Sequence, residues 1–226
     1  MSLILNIETS ENVCSVAISK NGELIAKKED AEGMSHAKLL AKFVDDILKE
    51  NKIQPSDLSA VAVSKGPGSY TGLRIGVSFA KGLSYGLNIP LISVGTLEAL
   101  ANAASKKHNT LICPMIDARR MEVYTALFDN DLTEIEKVTA EIIDENYKQE
   151  LLKDKKIVFC GSGSKKFEEV LNSNNAIFDF EIQPSAVNMI DISEKKFLEK
   201  SFEDSAYFEP FYLKDFIAIK PKNKIF

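Results

Sequence analysis

Two carboxylates and one glycine-rich segment are the residues best placed to do chemistry. Glu8 and Asp117 each close a short apolar run, Leu3 to Ile7 and Leu111 to Ile116. Acidic residues at such strand ends can serve metal–nucleotide chemistry in phosphotransferases. Gly66-Pro67-Gly68-Ser69-Tyr70-Thr71-Gly72 leaves a strand-like run and opens a helical one, where backbone amides and the helix dipole can hold an anion. Glu8, Gly66, Gly68, Ser69 and Asp117 are therefore candidate nucleotide or anion contacts. The segment is not a Walker A loop, because Gly72 is followed by Leu73, Arg74 and Ile75. Pro67 also removes one amide from any cradle. The plainer reading is a tight turn in which Ser69 or Thr71 caps the helix.

The other reactive side chains point to no catalytic residue and no metal. There are two histidines, His36 and His108, and residue 40, one helical turn after His36, is Leu40. A paired-imidazole site on one helix face therefore cannot form. Cys14, Cys113 and Cys160 are odd in number, far apart and set in apolar runs, which reads as buried, reduced thiols. Gly161-Ser162-Gly163 lacks the spacing of a nucleophile elbow. Arg119 and Arg120 suit either an external phosphate or, more plainly, surface carboxylates.

The elements that must position these residues follow one order twice. Leu3 to Ile7, Val13 to Ser19 and Glu23 to Lys28 have strand composition, and Asn21-Gly22 is a hairpin signal. A helical period runs from His36 to Glu50, then a strand from Ala60 to Ser64, then a helix from Thr71 to Leu87. The order β-β-β-α-β-α recurs as Leu111 to Ile116, Glu122 to Phe128, a weak run at Ile135 to Val138, a helix over Glu141 to Leu152, a strand over Ile157 to Cys160 and a helix over Lys165 to Leu171. In both halves the first strand ends at a carboxylate and the fourth runs into glycines. The fold class expected is α/β, two ribonuclease-H-like lobes of the actin-like, sugar-kinase-like architecture, spanning 1–104 and 105–226. Unrelated α/β layers are the alternative. Loops are expected from Ala176 to Asp191, a short helix from Ser193 to Ser201, and a solvated basic tail from Lys220 to Lys224.

Both helices of the first half have apolar arcs wider than one sheet needs. At about 100° per residue, Arg74, Ser78, Lys81 and Tyr85 share one narrow side of the second helix. Gly72, Gly76 and Ala80, four residues apart, would let another helix come close. Leu40, Val44, Leu73, Gly76, Val77 and Ala80 are therefore the expected subunit interface. Cover by loops or by the C-terminal segment is the alternative.

Composition bounds the partners. The formal charge of −5 and pI near 5.3 argue against a chain that grips nucleic acid unaided. No basic leader precedes an apolar stretch, and no apolar run approaches the roughly 18 residues of a membrane span. The expectation is a cytoplasmic protein with no membrane contact.

Asn6-Ile7-Glu8-Thr9-Ser10, Ser15-Val16-Ala17, the block Gly66 to Gly76 and Met115-Ile116-Asp117-Ala118-Arg119-Arg120 appear in this order. With them the chain resembles the TsaB (YeaZ) family over nearly its full length. His36 to Leu40 and Pro210-Phe211-Tyr212-Leu213-Lys214 are similar to that family's helix-opening and C-terminal segments. Lys42 replaces a frequent proline and Met121 a frequent glycine. The resemblance implies a two-lobed actin-like fold without catalysis of its own. It implies pairing with TsaD through the N-terminal helices, and TsaE, a small ATPase, joining that pair. Within the complex a threonylcarbamoyl group, made as an adenylate by TsaC, passes to tRNA adenosine next to the anticodon. It further implies a homodimer through the same surface when alone, tRNA contact only through the complex, and ATP or ADP at the interface with TsaD. The catalytic relative TsaD carries a helical pair of metal-binding histidines that this sequence lacks. A kinase or ATPase of the same architecture is the rival reading.

Overall fold

The computed structural model describes residues 1–31, 35–171 and 173–214, so the basic run Lys220 to Lys224 lies outside the described residues. The first lobe contains β1 (Leu3–Glu8), β2 (Cys14–Lys20), β3 (Glu23–Asp30), α1 (His36–Glu50), β4 (Ala60–Gly66), α2 (Tyr70–Leu87), β5 (Leu91–Gly95) and α3 (Thr96–Ser105). The second contains β6 (Leu111–Asp117), β7 (Glu122–Phe128), β8 (Glu134–Ile142), α4 (Gln149–Asp154), β9 (Ile157–Cys160), α5 (Ser164–Glu168) and β10 (Ala176–Asp179), and α6 (Ile190–Leu198) follows.

The two sheets have the same topology. One runs β3-β2-β1-β4-β5 and the other, read in the matching direction, β8-β7-β6-β9-β10. In each, the first three strands are antiparallel and the next two join in parallel. Each fourth strand leaves through a left-handed glycine, Gly66 at φ 109° and Gly161 at φ 85°, a conformation in which a side chain is strained. The duplicated actin-like, sugar-kinase-like architecture expected from element order is thus the observed one. The Asn21-Gly22 turn has both residues at positive φ, as a two-residue hairpin requires.

Strand periodicity assigns the core. Leu5, Ile7, Val61 and Val63 face α1 and α2, while Ile4, Ala60 and Ala62 face the opposite layer with Met189 and Ile192. In the second sheet, Ile112, Ile116 and Val158 meet Leu97, Leu100 and Ala104 of α3. Cys113, Met115 and Phe159 meet Leu152, Phe167 and Leu171. The three thiols are free and buried, and burial pushes Cys14 and Cys113 up to about 11.

Several local expectations are corrected. The helix expected from Glu141 begins at Gln149, because β8 extends through Ile142 to pair with β7. Residues 176–179, expected as loop, add β10 to the edge of the second sheet. β5 and α3 were not expected, since Leu91–Gly95 is five residues long and runs directly into a helix. α3 is apolar on several sides because it packs between the sheets, with Ala99 against the first and Leu97 and Leu100 against the second.

Gly72 and Gly76 do not admit a second helix. A Cβ at either would collide with Thr9, whose Oγ1 donates to Gly72 O at 2.8 Å, whereas Gly86 has open space. Gly72→Ala should therefore cost about 2–4 kcal/mol in urea unfolding. Gly86→Ala should be neutral or stabilising by up to about 1 kcal/mol through helix propensity alone.

Candidate functional site

The site lies where the loop after β1, the glycine segment before α2, the end of β6 and the turn after β9 converge. Glu8 ends β1 and is fully buried. Its Oε1 accepts from the Ser10 amide at 2.5 Å and from Ser64 Oγ at 2.9 Å, while its Oε2 has no hydrogen-bond partner among the described residues. Burial pushes its carboxyl above the usual range, opposed in part by those hydrogen bonds and by His36. His36 donates from Nε2 to Glu11 O at 2.7 Å, which ties the start of α1 to the same loop.

The glycine segment is packed from inside by that loop. The Ser69 amide donates to Ser10 O at 2.6 Å, and a Cβ at Gly68 would collide with the same carbonyl. A Cβ at Gly66 would lie 2.7 Å from Phe211 O. Ser69 caps α2, its Oγ accepting from the Gly72 amide at 3.3 Å. The Ser69 amide thus already has a backbone partner, which removes one donor from any anion cradle at this segment.

Asp117 sits at the exposed end of β6. Its Oδ1 accepts from the Arg119 amide at 2.6 Å and from Lys166 Nζ at 2.5 Å. Sequence reasoning did not single out Glu11, which links the lobes. The Asp117 amide donates to Ser162 Oγ at 3.0 Å, and Ser162 Oγ donates to Glu11 Oε1. Desolvation, with the nearby charges of Glu8 and Asp117, pushes Glu11 up to about 7 despite the Ser162 hydrogen bond. Glu8 and Asp117 therefore belong to one site, with Glu11 between them.

Arg119 and Arg120 adopt left-handed conformations at φ 72° and 54° in the turn between β6 and β7. Among the described residues neither guanidinium has a carboxylate partner, so the expected surface pairing does not form.

The expected interface residues are core. Leu40, Val44, Leu73, Val77 and Ala80 are at most 4% exposed and Gly76 is buried, because the inner side of each helix is needed against β1 and β4. The surplus lies beside them, in the half-buried Leu39, Phe43, Ile75, Phe79 and Leu83. The C-terminal segment covers part of α2. Lys81 Nζ donates to Phe208 O at 2.9 Å, Tyr212 packs on Tyr70 with centroids 4.9 Å apart, and Arg74 lies 4.2 Å from the Tyr70 centroid.

Fold and site together define a two-lobed protein of the actin-like, sugar-kinase-like class whose glycine segment is filled by its own backbone. A family model described as TsaD, tRNA N6-adenosine threonylcarbamoyltransferase, matches residues 31–220. The tRNA threonylcarbamoyladenosine biosynthesis protein TsaB of Escherichia coli strain K12 is 33% identical, over 96% of this chain and 96% of its own. The tRNA N6-adenosine threonylcarbamoyltransferase of Phocaeicola vulgatus is 35% identical, over 43% of this chain and 33% of its own. The solved structure of YeaZ from Pseudomonas aeruginosa has a TM-score of 0.83 at 24% identity, covering 94% of this chain and 100% of that one. The chain belongs to the TsaB (YeaZ) family of tRNA threonylcarbamoyladenosine biosynthesis proteins.

The raised carboxyls fix the sign of a pH effect. Folded Glu11 keeps its proton to about 7 where the ordinary value is 4.5, so the folded state binds protons that the unfolded chain releases. Stability from this group is present at low pH and falls as pH rises from about 4.5 to 7. By calorimetry, Glu11→Gln should unfold at a higher temperature than the parent at pH 8, with the difference shrinking toward pH 5.

Proposed function

We propose that this chain is a non-catalytic subunit that works with TsaD and TsaE to transfer a threonylcarbamoyl group to tRNA adenosine next to the anticodon. It acts as partner and activator of TsaD. The observation that carries this reading is the packing of the glycine segment against the Thr9–Ser10 backbone, which takes the Ser69 amide as a donor and leaves no room for side chains at 68, 72 and 76. A glycine segment used for internal packing supports a contribution made through surfaces. The two histidines add support: His36 is tied to Glu11 O in the first lobe and His108 to Asp179 in the second, so they share no site.

The surface that serves TsaD is the outer side of α1 and α2, where Phe43, Ile75, Phe79 and Leu83 stand on rigid, packed helices. Burying the still-exposed part of each of these half-buried side chains contributes about 1 kcal/mol. The same surface makes a homodimer when the chain is alone, so homodimer and heterodimer compete and subunit concentration sets the amount of active complex. ATP or ADP binds at the interface with TsaD, and TsaE docks on the assembled pair. tRNA is held by the complex, in keeping with the formal charge of −5. The setting is the cytoplasm.

Transfer of labelled threonine to tRNA by purified TsaC, TsaD and TsaE with ATP and bicarbonate should require this chain. Glu8→Gln and Asp117→Asn should retain transfer, whereas Phe79→Glu should weaken TsaD binding by about a hundredfold or more in titration calorimetry. Unchanged transfer without the chain would overturn the reading. ATP turnover by the isolated chain would favour a kinase or ATPase of the same fold.

A further inference from the structure

A second concavity lies away from the interlobe carboxylates. It has a volume of about 470 Å³ and is walled by the end of β4, the start of α3, the hairpin between β7 and β8, and Phe211 of the C-terminal segment. This volume falls within the range of about 300–1,000 Å³ typical of small-molecule sites. None of Glu8, Glu11 and Asp117 lines it.

Its lining has two parts. Pro67, Leu97, Phe128, Leu132, Val138 and Phe211 make an apolar floor drawn from both lobes. Such a floor offers no partners for a polar body but accepts an apolar or aromatic one. Four charged residues, Lys65, Glu98, Glu134 and Lys137, complete the lining. The two carboxylates are already engaged. Glu98 Oε2 accepts from the Gly95 amide at 3.3 Å and lies 3.6 Å from Lys196 Nζ, and Glu134 Oε1 accepts from the Val138 amide at 3.1 Å. The two ammonium groups are not: neither Lys65 nor Lys137 has a hydrogen-bond or ion-pair partner among the described residues. With Glu98 offset by Lys196, two unpaired ammonium groups face the single uncompensated carboxylate of Glu134, so the balance of charge at this cavity is positive, beside a surface that favours hydrocarbon.

We propose that this cavity binds a small organic anion, its apolar or aromatic body on Leu97, Phe128, Val138 and Phe211 and its carboxylate or phosphate between Lys65 and Lys137. Because the walls come from both lobes and from the C-terminal segment, an occupant would bridge all three.

The test uses the ¹⁵N-labelled full chain and three probes: 2-naphthoate, the neutral naphthalene-2-methanol and inorganic phosphate. 2-Naphthoate should shift the amides of Gly66, Gly95 and Phe211 in a saturable way. The alcohol should bind at least about tenfold more weakly, and phosphate should leave those amides in place. Lys65→Ala with Lys137→Ala should raise the Kd for 2-naphthoate about tenfold or more, while the paired Lys→Arg variant keeps it. Absence of shifts at millimolar 2-naphthoate would overturn the proposal. So would an unchanged Kd in the Ala variant, equal binding of the alcohol, or equal binding of phosphate.

Discussion

The seating of the Thr9–Ser10 backbone against the glycine side of α2 is the contact on which the rest of this structure depends. Thr9 Oγ1 donates to Gly72 O, and the Ser69 amide donates to Ser10 O. Both require glycine opposite, at 68, 72 and 76. The contact brings β1 and α2 close enough to share the core of Leu5, Ile7, Val63 and Val77. It also fixes the start of the loop whose next residue, Glu11, reaches Ser162 in the other lobe. A segment that looks like a phosphate cradle thereby becomes a packing surface, since the same small residues suit either an anion or a backbone.

The lobes are joined by more than that one hydrogen bond. α3 is shared between the two sheets, and α6 returns from the second half to cover the first sheet, where Ser193 Oγ donates to Asn6 Oδ1 at 2.7 Å. The C-terminal segment then crosses the glycine turn, with the Phe211 amide on Lys65 O at 2.7 Å and Lys214 paired with Glu122 of β7. Lobe opening would have to break contacts of all three kinds.

Much of this was legible in the chain itself. α1 matches its periodic stretch from His36 to Glu50, and the Asn21-Gly22 turn and the repeated strand–carboxylate and strand–glycine pattern appear where composition and spacing put them. Those features are local: hydrophobic period, turn chemistry and capping act within a few residues. β5, β10 and α3 were not legible, because short strands carry too few residues for a period and a helix buried on several sides has no polar face to mark it.

The sequence by itself determined the two-lobed fold class, the strand-end carboxylates and the surplus of apolar surface on the first two helices. Only the tertiary structure decided which side of those helices is spent on the sheet, leaving Phe43, Ile75, Phe79 and Leu83 rather than Leu40, Val44 and Val77 at the surface. Only it placed Glu11 against Ser162 and filled the glycine segment with Ser10. The physical reason is sequence separation. An arc width tells how much a helix must bury but not against what, and partners 151 residues apart meet only when the two sheets are set against each other.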